Sequence, residues 1–154
     1  MISSNTAALA LYEKLGYEHL RDLEIWSLEG APAGTARDVP AAEAHARVRG
    51  LRRGPEPWQR EDVVLERALA AGEPRHGLVA EGGAAVLRVT AQGVVVEQIA
   101  ARDAAVAEEL LGAALRLGWP VRLTNVPEGD PVGEAFRELG GSLDLRQHEL
   151  RLAL

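Results

Sequence analysis

Few side chains in this sequence stand at a spacing that announces chemistry. There is no cysteine, which removes thiolate nucleophiles, disulfides and cysteine-based zinc sites together. The four histidines, His19, His45, His76 and His148, show no ligand spacing, so no metal is implied and each reads as a surface or satisfied polar residue. Glu97 falls on an expected central strand and could act as a base, yet strand alternation lets it face solvent equally well. Neither a Gly-x-Ser-x-Gly elbow nor a Walker loop is present. Gly82-Gly83, between two apolar runs, reads as a hairpin turn rather than a phosphate cradle, and Asp103 reads as an ordinary helix N-cap.

The bulk properties narrow the partners. A chain of 154 residues, 47% apolar and 26% charged, has ordinary globular composition and suits one domain plus a fragment better than two full cores. The formal net charge of -6 repels a phosphate backbone, and no basic stripe overrides it, so nucleic acid is not an expected partner. The opening residues lack the pattern of a signal peptide, and no apolar run reaches the roughly 20 residues that span a bilayer. The expectation is a cytoplasmic protein without a membrane partner.

Periodicity and punctuation place the elements. Asn5 caps a helix carried by Leu9, Tyr12 and Leu15 and stopped at Gly16. Residues 17–28 read as two short strands about Arg21 and Asp22, and residues 30–34 as a linker. Asp38 opens a helix through Val48, the Gly54-Pro55-Glu56-Pro57 stretch breaks it, and a second helix runs over 58–71 with Val63, Val64, Ala68 and Leu69 inward. Three strands follow, over 76–80, 84–89 and 93–99, as an antiparallel meander. A helix capped by Asp103, a buried strand over 120–125, a helix begun by Asp130-Pro131 and two final strands around 143–145 and 149–154 complete the chain. The fold class is α/β (α+β), a mixed, mostly antiparallel twisted sheet flanked by helices.

An internal repeat sets the organisation. Leu-Tyr-Glu-Lys-Leu-Gly ending at Gly16 and Ala-Phe-Arg-Glu-Leu-Gly ending at Gly140 superpose, and at the same offset Trp26 matches Leu150 and Leu28 matches Leu152. The division that follows is a helix plus β-hairpin over 1–30, a linker over 31–37 and a complete domain over 38–154. The chain thus reads as beginning inside a domain. The 1–30 piece alone leaves an apolar face and a strand edge unpaired, so it docks on its own domain or exchanges with a second copy to make a homodimer.

Residues 5–17, Asn-Thr-Ala-Ala-Leu-Ala-Leu-Tyr-Glu-Lys-Leu-Gly-Tyr, resemble the last conserved motif of the GNAT N-acetyltransferases. Residues 38–154 resemble, in element order and in the Val-Arg-Leu-Thr-Asn-Val-Pro stretch over 121–127, the second half of two-repeat GNAT proteins. The resemblance implies acetyl-CoA in a cleft between splayed strands, its pyrophosphate held at a helix start after a glycine-bearing loop. The matching stretch is residues 98–103, where Gln98, Ala101 and Arg102 fall on the cofactor-binding positions. Ala101 and Asp103 replace the two glycines, and a carboxylate at Asp103 repels a diphosphate. The resemblance makes Tyr12 the general acid for the departing thiolate. Its counterpart in the second repeat is Phe136, which has no proton to give.

Two functions stay open. One is transfer of an acetyl group from acetyl-CoA to a small-molecule or peptide amine, weak or absent in this chain; the other is a non-catalytic ligand-binding or dimerisation module, which predicts a closed cleft.

Overall fold

The structure, a computed structural model, describes residues 1–57 and 60–152. Trp58, the expected start of one helix, and the last two residues of the expected final strand lie outside the described residues. The elements run α1 (Thr6–Lys14), β1 (Tyr17–Leu28), β2 (Arg37–Val39), α2 (Ala41–Leu51), α3 (Asp62–Ala70), β3 (His76–Ala80), β4 (Gly83–Thr90), β5 (Gly93–Ala101), α4 (Ala104–Ala114), β6 (Val121–Pro127), α5 (Pro131–Glu138) and β7 (Ser142–Leu152).

The strands form one mixed sheet in the order β2-β3-β4-β5-β6-β1-β7. Every pairing is antiparallel except β5 with β6, and that parallel pair is joined by the α4 crossover that such a pair requires. Alternation along the strands divides the core into two layers. Leu78, Ala85 and Leu87 point to the side covered by α4 and α5, where Leu110, Leu111, Ala114 and Phe136 pack. Ala84, Val86 and Ala100 point to the other side, against Ala44 and Val48 of α2 and Leu65 of α3.

The expected helix starts are present as side-chain caps. The Ala8 amide donates to Asn5 Oδ1 at 3.1 Å, Val106 N to Asp103 Oδ1 at 3.0 Å and Val132 N to Asp130 Oδ1 at 2.9 Å. Gly82, at φ +82°, turns β3 into β4, and a Cβ on Gly83 would lie 2.4 Å from Val106 Cγ1. The turn and the docking of α4 therefore both depend on this glycine pair.

Several expectations need correction. Residues 17–28 form a single strand of twelve residues rather than two, and β7 is likewise one strand of eleven. The charged residues that suggested a turn are satisfied across the ladder: Arg21 pairs with Glu149 and Asp22 lies opposite His148. Asp38 belongs to β2 and receives Arg116 at 3.3 Å, while Pro40 occupies the N-cap of α2. In α3 the inward residue is Leu65, whereas Val63 and Val64 are exposed. β1, from the opening segment, is an interior strand between β6 and β7. Residues 31–37 run along α4: Ala33 N donates to Gly112 O at 3.0 Å and Thr35 Oγ1 to Glu109 at 2.7 Å.

Candidate functional site

β5 and β6 pair only from Val94 opposite Val121 to Val96 opposite Leu123. Beyond that point β5 stays with β4 as far as Ala101, and β6 stays with β1 as far as Pro127. The strands therefore part, leaving backbone groups of two facing edges in need of partners. The residue that fills the gap is Arg60. Its guanidinium, buried at 8% exposure, donates to Thr124 O and Asn125 O, both at 3.3 Å, and pairs with Glu56 at 2.7 Å.

A polar chain extends from this plug. Gln98 Nε2 donates to Arg60 O at 2.8 Å and to Asp62 Oδ1 at 3.1 Å. Arg52 grips both oxygens of Asp62, at 3.1 and 2.9 Å, donates to Gln98 Oε1 at 3.3 Å and reaches Glu56 at 3.3 Å. His45 contacts Asp62 at 3.1 Å. Burial pushes the Glu56 carboxyl up against the pull of Arg60 and Arg52, and burial lowers Arg60 against the pull of Glu56. Asp62, gripped by Arg52, is held well below the usual carboxylate range.

Two shallow cavities open on either side of Arg60, which lines both. The first, about 260 Å³, is bordered by Arg21, Arg52, Arg53, Glu56, Ala100 and Asp130. Its cations are engaged: Arg21 with Glu149 at 2.5 Å and Pro55 O at 3.2 Å, and Arg53 with Arg102 O. The second, about 250 Å³, includes Val64, Leu65, Arg75 and Glu97. Glu97 receives Arg75 at 2.5 Å and Arg88 at 2.9 Å, which ties up the carboxylate that sequence considered as a base. Deep in the splay, against Ile99, Leu123 and Val132, about 10 Å³ remains, at the lower limit for one water molecule.

The positions carried over by resemblance do not converge. Gln98 is buried in the plug network. Ala101 ends β5 opposite Gly83. Arg102 is exposed: its amide donates to Gly82 O at 2.9 Å and its guanidinium rests on Asp103 at 3.1 Å. The Asp103 carboxyl, held below its ordinary value by the Val106 amide and then by Arg102, stays anionic at the start of α4. A further anion there meets that charge and finds the Val106 N–H taken. Tyr12 packs edge-to-face on Tyr17 with ring centroids 5.2 Å apart, beside an open groove of about 750 Å³ that none of Gln98, Ala101 and Arg102 lines. Phe136 lies at 0% exposure, stacked on Trp26 at 6.0 Å.

Solved structures superpose on this fold over nearly the whole chain. A GCN5-related N-acetyltransferase from Sphaerobacter thermophilus superposes with a TM-score of 0.64 at 20% identity, covering 96% of this chain and 56% of its own. One from Kribbella flavida gives 0.58 at 18%, covering 99% and 42%. This chain has the GCN5-related N-acetyltransferase fold. A functionally unknown conserved protein from Staphylococcus epidermidis superposes on this chain with a TM-score of 0.65 at 13% identity, with 97% of this chain and 68% of its own covered. The chain spans about half the length of the two named acetyltransferases. No protein-family model matches it, and no curated protein matches its sequence. Among the described residues, no helix is long and apolar enough to cross a membrane.

The groups that plug this GCN5-related N-acetyltransferase fold escaped the sequence reading. The available signal was the four-residue spacing of Arg52, Glu56 and Arg60. Pro55 and Pro57 made that stretch read as a helix break, which hides an ion ladder.

Proposed function

We propose that this chain is a non-catalytic module of acetyltransferase ancestry, whose own cleft for acetyl-CoA is closed by its own side chains. The reaction class of that ancestry is acetyl transfer from acetyl-CoA to an amine, and this chain alone performs little or none of it. One observation carries the reading: the Arg60 guanidinium, neutralised by Glu56, bonds the β6 carbonyls in the splay where the thioester would lie. A buried ion pair with backbone partners does not leave for a neutral pantetheine arm without exposing two charges to a dry cavity. Calorimetry of the full chain with acetyl-CoA should give no binding heat. One-to-one binding in the micromolar range would restore the catalytic reading. The lack of cysteine supports a cytoplasmic setting.

The organisation proposed is the tail of one repeat followed by a degenerate second. In support, α1 leads into β1 as α5 leads into β7, and the two strands are antiparallel neighbours. A dimer through residues 1–30 goes with this reading. No residue of α1 is buried, and Leu11 and Leu15 are 57% and 58% exposed, so a second copy of the same face is proposed to cover them. Light scattering should give a dimer for the native chain and a monomer for Leu11→Glu/Leu15→Glu; a monomeric native chain removes the proposal. Deleting residues 1–30 is no substitute, because it extracts β1 from the sheet interior.

A further inference from the structure

Three side chains outside the splay converge on one point of the β1–β7 ladder. His148 Nδ1 lies 2.5 Å from Asp22 Oδ1, and His19 Nε2 lies 2.7 Å from the same oxygen. The three donor atoms all fall within 4.8 Å of one another, and the imidazoles meet edge to face at 5.1 Å. The backbone arranges this meeting in a particular way. Residues three apart on a regular strand point to opposite faces, which would separate His19 from Asp22. The register shift between His19 and Arg21 inserts one residue, so that His19 falls opposite Leu150 and Asp22 opposite His148. Positions 148 and 150 share a face, and the bulge therefore brings His19 onto the face of Asp22. Bulges commonly serve to re-aim one side chain in this way.

We propose that His19, Asp22 and His148 form a binding site for a divalent transition-metal ion, zinc being the best match. Two imidazoles and one carboxylate are borderline donors that suit zinc or its first-row neighbours, whereas calcium and magnesium call for oxygen ligands. Tetrahedral coordination with bonds near 2.0 Å separates ligand atoms by about 3.3 Å. The two contacts of 2.5 and 2.7 Å open to that value, and the imidazole nitrogens, within 4.8 Å of each other, close to it, by small side-chain rotations. Room for the rotation exists: the side chains of His19, Asp22 and His148 are 49%, 34% and 20% exposed. On binding, each ring presents the nitrogen that now faces Asp22 as a bare donor and keeps a proton on the other, so any proton held between ring and carboxylate is released. Three protein ligands leave a fourth position for water on the outer side, as in zinc sites that keep an exchangeable ligand. Sequence spacing could not show this set, since Asp22 and His148 are 126 positions apart.

The test titrates the metal-free full chain with zinc against a chromophoric chelator, and separately with cobalt(II) read by its visible absorption. One equivalent should bind, the cobalt spectrum should be that of a four-coordinate ion, and zinc should raise the melting temperature. His19→Ala should weaken zinc by more than the roughly 100-fold that loss of a supporting outer residue costs, and His148→Ala should do the same. His76→Ala, at the exposed start of β3 on the far side of the sheet, should change nothing. His19 is exposed, so its variant reads the site even where His148→Ala fails to fold. Zinc binding that is absent, or that His19→Ala leaves intact, overturns the proposal and leaves the cluster as a hydrogen-bonded ladder.

Discussion

Arg60→Ala should cost the fold about 3–5 kcal/mol, the toll of removing one partner from a buried ion pair. The Glu56 side chain, 7% exposed, would be left charged or forced to take a proton, and burial already pushes its carboxyl upward. The carbonyls of Thr124 and Asn125 would lose the donor that spans the parted strands. Replacing both partners tells the two contributions apart. Glu56→Met/Arg60→Met roughly keeps the volume and removes both charges, and should fall well short of the single substitution because a well-packed apolar pair often matches a buried ionic one. Urea denaturation of the three proteins measures this directly. A loss under about 1 kcal/mol for Arg60→Ala, the range of an exposed ion pair, would mean that Arg60 does not seal the splay.

Phe136→Ala is expected to lose about 3–5 kcal/mol, the usual cost of emptying an aromatic core position. Phe136 is fully enclosed, stacks on Trp26 with an interplanar angle of 20°, and anchors α5 against the sheet. Tyr12→Ala, by contrast, should cost under about 1 kcal/mol, as surface changes do, because Tyr12 is 37% exposed on a helix with no buried residue. Thermal or urea unfolding of the pair reads the contrast. Equal losses would contradict the packing described for α1.

Local signals in the sequence were sound where one residue settles one backbone group. Asn5, Asp103 and Asp130 cap their helices because a short acceptor side chain needs only the next turn. Gly82-Gly83 turns the chain as expected. The sheet class was equally legible, since the short apolar runs of β3, β4 and β5, bounded by turn residues, are properties of each strand alone. What failed depended on partners distant in sequence. Arg21 and Asp22 looked like a turn until Glu149 and His148 were placed beside them. Asp38 looked like a cap, but pairing with β3 drew it into a strand. Of the candidate site, Gln98 was singled out only as a cofactor-binding position implied by resemblance; in the structure its amide donates to Arg60 O and Asp62. The plug itself was illegible because Pro55 and Pro57 concealed the Arg52, Glu56, Arg60 spacing.

The place of β1 has a consequence for how the chain folds. Its neighbours are β6 and β7, so the first of the seven strands in sequence is held laterally by the last two. Arg21 waits for Glu149, 128 residues later. Such distant pairing is slow to close and leaves a strand edge open meanwhile. Closing the sheet around β1 is therefore the step of folding that spans the greatest length of chain.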